Sequence, residues 1–85
     1  MAKLIKVDGA EEVLKETDLT SLQKAVGGYI ETVSLGGGKT MIIDEEGKLK
    51  NKKINIEADK LAKGYIFGDD CIVGDVVICE PGELE

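Results

Sequence analysis

The chain has 85 residues, 11 of them Lys and 17 Asp or Glu, giving a formal charge of −6, and it contains no Arg, no His and no Trp. A chain this short makes one domain that buries roughly 60–65% of the surface its unfolded form would expose, enough for one modest core and too little for a deep enclosed cleft. Without His it lacks the usual general base near neutral pH and the commonest metal ligand, and without Arg it lacks a bidentate fork for phosphate, so most familiar catalytic constellations are excluded.

A composition 42% apolar and 33% charged belongs to a soluble globular protein. No apolar run approaches the roughly 20 residues that span a bilayer, and the alternating start Lys3-Leu4-Ile5-Lys6-Val7 does not read as a signal peptide. Cys71 and Cys79 alone do not make a secreted disulfide framework, so reduced thiols in a cytoplasm are expected. Leu84-Glu85 reads as a cloning scar within a polar tail, residues 81–85, behind a single domain over 1–80. Charge is uneven along the chain. Residues 1–64 hold 11 Lys and 11 acids and sum to zero, so the excess sits in Asp69, Asp70, Asp75, Glu80, Glu83 and Glu85.

In chain order, residues 2–7 predict a strand ending at Asp8-Gly9. The acidic stretch 10–17 is ambiguous, with Val13 and Leu14 placed for a partial helical turn. A helix is predicted over about 18–26, where Leu19, Leu22 and Val26 share a face, Asp18 is the N-cap and Gly27-Gly28 the stop. Thr20 with Gln23 offers an alternative capping box. Tyr29 to Leu35 predicts a strand, Gly36-Gly37-Gly38-Lys39 a turn, and Thr40 to Asp44 the returning strand of a hairpin. After the turn at Glu45-Glu46-Gly47-Lys48 and a short segment at Leu49, a second helix is predicted over about 55–63. Ile54, Ala58, Leu61 and Ala62 share its apolar face, Asn55 is its cap and Gly64 its stop. Tyr65-Ile66-Phe67 and Gly68-Asp69-Asp70 then lead through Cys71-Ile72-Val73 to the apolar strand Val76-Val77-Ile78-Cys79. This order predicts a two-layer α+β domain, about four strands with two short helices on one face. A ferredoxin-like βαββαβ topology is the simplest that fits.

Gly36-Gly37-Gly38-Lys39-Thr40 ends like a phosphate loop, but position 33 is Val where the full motif needs Gly. Met41-Ile42-Ile43 then continues as a strand and not as a helix, so a hairpin turn is expected. The Cys-x7-Cys spacing and the Asp residues match no zinc or calcium signature, so no metal and no cofactor is expected. Cys79 reads as core and Cys71 as the more exposed thiol. Lys48, Lys50, Lys52 and Lys53 form the only basic cluster. Without Arg or interleaved aromatics it reads as a solvated loop, and specific nucleic-acid binding is not expected. Glu31 and Tyr29 alternate on one strand. If Val33 faces the core they do too, and a buried carboxylate would need partners; if Ile30 does, they form an exposed patch with Val33.

Ala25-Val26-Gly27-Gly28-Tyr29-Ile30-Glu31 resembles a family known as domain of unknown function 3846, found in bacteriophage and mobile-element genes. The likeness continues through Asp44-Glu45-Glu46-Gly47-Lys48-Leu49, Asn55 with Ala58, and Val73-Gly74-Asp75-Val76-Val77-Ile78. The chain departs from that pattern at Asp44, where Asn is commoner, and at Lys52-Lys53-Ile54, where a proline-containing approach is usual. The resemblance implies a small accessory protein and supplies no activity. Helix stops, turns and caps explain most of the shared residues, leaving Tyr29 and Glu31 as the first contact candidates, with Lys39 and Asn55 behind them.

The expected function is therefore a non-enzymatic binding or regulatory module with an unidentified protein partner or a second copy of itself, working in the cytoplasm and not at a membrane. Two other readings stand beside it. One is a nucleotide or metabolite sponge using lysines such as Lys39, and the other is an acidic DNA mimic.

Overall fold

The structure is a computed structural model that describes residues 2–66 and 71–83. Its elements in chain order are β1 (Ala2–Ile5), β2 (Glu11–Leu14), α1 (Leu19–Val26), β3 (Ile30–Ser34), β4 (Thr40–Asp44), α2 (Ile56–Ala62) and β5 (Val76–Cys79). The expected segment Phe67-Gly68-Asp69-Asp70 and the expected scar Leu84-Glu85 lie outside the described residues.

The five strands form one sheet in the order β2-β1-β5-β4-β3, antiparallel throughout. The α+β class stands, but the strand count and the ferredoxin-like order do not. The last strand inserts between β1 and β4, pairing Leu4 with Val77 on one side and Ile42 with Val77 on the other. The fifth strand, β2, is the stretch expected to hold a partial helical turn. A tight turn at Asp8-Gly9, closed by Gly9 N–H to Lys6 O (2.9 Å) and by Lys6 N–H to Ala10 O (2.9 Å), folds it back on β1. Lys3–Glu11 (3.1 Å) and Lys6–Glu12 (2.9 Å) then link the two strands, and the bond to Glu12 raises the Lys6 pKa. Cross-strand partners decided this segment, and local periodicity could not supply them.

The two helices do not share a face. Successive strand residues point to opposite sides, and along β5 all four are buried, so both sides of this strand are covered. On one side Ile42, Val77, Cys79 and Ala2 pack with Leu22 and Val26 of α1. On the other Met41, Val76, Ile78 and Ile5 pack with Ala58 and Ala62 of α2, joined by Ile72. The molecule is three layers deep, because β4 and β5 are apolar on both faces and one layer of helices could dry only one of them.

Helix α1 begins at Asp18, whose carboxylate accepts from Ser21 N–H (3.3 Å) and Ser21 Oγ–H (2.7 Å), bonds that lower its pKa. It ends at Gly27, where φ is +85° and the N–H donates to Gln23 O at 2.8 Å. Leu22 and Val26 are buried as expected; Leu19, placed on the same face, is exposed at the first turn. In α2 only Ala58 and Ala62 of the expected face are buried, while Ile54 and Leu61 are exposed. Ala58 and Ala62 are the residues through which this helix packs on the sheet.

Asn55 joins α2 to the sheet. It is buried, its Oδ1 accepts from Ala58 N–H (3.1 Å), and its Nδ2 donates to Ile5 O (3.0 Å) and Gly74 O (2.9 Å). The side chain therefore caps the helix and ties β1 to the approach of β5. Asn55→Ala removes the cap and leaves buried carbonyls unpaired, and should cost about 2–4 kcal/mol in urea unfolding. Asn55→Asp keeps the cap oxygen but aims a carboxylate oxygen at two carbonyls, so it should be at least as damaging as the alanine above pH 5.

Candidate functional site

The strongest electrostatic feature was not singled out from sequence. Asp44 ends β4 with its side chain fully buried, and its Oδ2 meets Lys52 Nζ at 2.7 Å and Lys50 Nζ at 2.9 Å. Its Oδ1 accepts from Glu46 N–H at 2.9 Å, shaping the turn that comes next. The same ammonium groups reach back to α1, Lys52 to Val26 O (2.6 Å) and Lys50 to Gly27 O (3.1 Å). These carbonyls are among the last ones of the helix, which have no partner within it and carry its negative dipole end. Burial pushes the Asp44 carboxyl upward, but the hydrogen bonds from Lys52, Lys50 and Glu46 outweigh it and hold the pKa at about 2. Lys50 and Lys52 were expected in a solvated loop; they instead turn inward onto Asp44. The only trace of this in the sequence is an acid closing the apolar run Met41-Ile42-Ile43.

Gly28 is required by the same cluster. A methyl group there would lie 2.5 Å from Lys50 Nζ and 2.9 Å from Asp44 Oδ1.

The four contact candidates are not brought together. Tyr29 is 67% exposed beside Gln23, Glu46 and Lys50, and Glu31 is exposed on β3. Lys39 sits at the far end of the β3–β4 hairpin, 3.6 Å from Glu80. Asn55 is interior, with both polar atoms of its side chain engaged within the fold. The alternative posed for Glu31 dissolves, since both sheet faces are covered. Ile30 packs toward α1, Val33 packs toward α2, and Glu31 is exposed because β3 is an edge strand. Cys79 is core, and burial raises its thiol pKa; Cys71 is half-buried. Among the described residues no group of three or more acids and cysteines is arranged to hold a metal.

The chain also matches the family described as domain of unknown function (DUF3846) over residues 2–85. It belongs to that family. No curated protein and no solved structure matches it. Membership of DUF3846 assigns no chemistry, so the geometry has to carry the functional argument. Asp44 and Lys52 are in direct contact, so the buried acid is held beside its counter-charge.

Among the described residues, what remains outward-facing is the edge of β3, which pairs only with β4. Its pairs with β4 run Ile30–Asp44, Glu31–Ile43, Thr32–Ile42, Val33–Met41 and Ser34–Thr40. Glu45 N–H donates to Tyr29 O (2.9 Å) and Leu35 N–H to Lys39 O (3.0 Å), so the odd-numbered residues bond to β4. In an antiparallel pair the alternate residues point away, leaving N–H and C=O of Ile30, Thr32 and Ser34 directed out of the sheet. The opposite edge, β2, carries Glu11 and Glu12, each bound to a lysine, whereas β3 carries one charge and no Lys or Pro. Beside β3, on the α2 side, a cavity of about 480 Å³ is lined by residues including Glu31, Val33, Ile43, Leu49, Tyr65 and Ile72.

Two outcomes test the Asp44 cluster. Its depressed pKa contributes stability that is complete above the ordinary value of 3.8 and lost as pH falls toward 2, about 2 kcal/mol in all. Asp44→Asn should remove that contribution, giving a flatter stability profile over this interval in urea titrations. Gly28→Ala should destabilise by about 1–3 kcal/mol, and by much less on the Asp44→Ala, Lys50→Ala background, where the crowding groups are gone.

Proposed function

We propose that this protein is a non-enzymatic binding module that engages other chains through the open edge of β3. The observation that carries the reading is the row of outward N–H and C=O groups on Ile30, Thr32 and Ser34. They sit on a short strand without the Lys, Pro or bulge that commonly blunts an edge. An extended segment can add to such an edge as a further strand, main chain to main chain, while alternate side chains give selectivity. In this reading the protein is an accessory factor of phage or mobile-element origin acting in the bacterial cytoplasm.

The sponge reading has less support. Lys39, Lys3 and Lys60 line one cavity of about 310 Å³, but Glu80, Glu11 and Glu57 oppose them one for one, so little positive charge is left for phosphate. The DNA-mimic reading suffers from the same pairing, because these carboxylates do not form an unmatched row.

Capture from cells that carry the gene provides the test. Thr32→Pro removes an outward N–H that the sheet does not use, and Val13→Pro does the same on the β2 edge. Proteins retained by the native chain should be lost with Thr32→Pro and kept with Val13→Pro. Capture indifferent to Thr32→Pro would refute the edge reading, and turnover of a substrate would refute the non-enzymatic one.

A further inference from the structure

We infer that the strand accepted by the β3 edge is β3 of a second copy, making a twofold dimer with one continuous sheet of five strands from each chain. This inference rests on the proposed binding role of that edge and names its occupant.

The argument is one of register. Two copies of one strand pair antiparallel about a twofold axis, so each alignment has a residue, or a point between two residues, facing itself. Only Ile30, Thr32 and Ser34 aim their backbone groups outward, so these must meet one another. Centred on Thr32, Ile30 faces Ser34 of the second copy, Thr32 faces Thr32, and Ser34 faces Ile30. Each of these three pairs exchanges two bonds, giving six, with no outward group of the strand left over. Centred on Glu31, only Ile30 and Thr32 find partners, for four bonds, and two carboxylates oppose each other directly. Centred on Val33, again four bonds form, and Glu31 faces Leu35. The Thr32 alignment therefore wins on hydrogen bonds and on charge together.

Side chains favour the same alignment. Glu31 faces Val33, so no like charges are opposed, and Thr32 faces Thr32, a pair that supports cross-strand contact. One step beyond the strand, Tyr29 of one copy falls opposite Leu35 of the other. Tyr29 is among the most exposed large apolar residues of the molecule, and Leu35 already packs at the margin of the α2-side core. An aromatic against an aliphatic residue is a favourable cross-strand pair, and it gives exposed Tyr29 a partner. The axis stands perpendicular to the sheet, which keeps both α1 helices on one side and both α2 helices on the other.

Sedimentation equilibrium measured from micromolar to millimolar chain concentration tests this. The native protein should pass from 9.1 kDa toward twice that mass. Thr32→Pro withdraws two of the six donors and should weaken self-association by about thirtyfold or more at unchanged far-UV circular dichroism. Two further variants probe the register without touching the backbone, since the Thr32 side chain is exposed. Thr32→Lys alone and Thr32→Glu alone should each remain monomeric, because like charges face across the axis. Mixed in equal amounts they should dimerise, with association weakened by salt. A native protein that stays at 9.1 kDa throughout overturns the inference, and so does a mixture of the two charged variants that fails to associate. If the native chain is monomeric and Thr32→Pro still abolishes capture of another protein, the edge reading stands and only the second copy is ruled out.

Discussion

The constraint on which the rest of the architecture depends is that β5 is buried on both faces. Val76 and Ile78 point into one cluster, Val77 and Cys79 into the other, and a strand of this kind can sit only at the centre of a covered sheet. With β1 on one side of it and β4 on the other, two helices must be placed on opposite faces. The open edge of β3 is a consequence of using both helices over the middle of the sheet.

The helices are short, eight and seven residues, and are held by polar ties as well as by packing. At α1 the tie is the Asp44 carboxylate, which fixes two ammonium groups against the helix's terminal carbonyls. At α2 it is Asn55, with three hydrogen bonds reaching the helix, β1 and the start of β5. Each tie links elements far apart in sequence and satisfies backbone groups that the fold would otherwise leave without partners. Both therefore belong to the framework, and the edge of β3 takes no part in either.

Much of the local structure was legible. The caps at Asp18 and Asn55, the stop at Gly27, the β3–β4 hairpin and the β5 strand fall where local pattern puts them, within a residue or two. The candidate site was legible only in part. Tyr29 and Glu31 stood out because nothing structural needed them, and the structure places both at the free edge. Asn55 was read as a helix cap and also kept as a contact candidate; it is the cap and is interior, since a capping amide and a contact amide look alike in sequence. Lys50 and Lys52 were misplaced because a run of lysines says nothing about a carboxylate that becomes buried only when β4 and α1 meet.

The sequence by itself determined the bounds of the helices and the strand-turn-strand hairpin, because these depend on neighbours within about one helical turn. Only the tertiary structure decided that β5 lies between β1 and β4, that acidic 11–14 is a strand, that the helices take opposite faces and that Asp44 binds two lysines. Each of these rests on contacts between segments distant along the chain, whose free energy enters only when the layers close. The −6 charge and the missing His are properties of the sequence; that β3 stands at the edge of the sheet is a property of the tertiary structure.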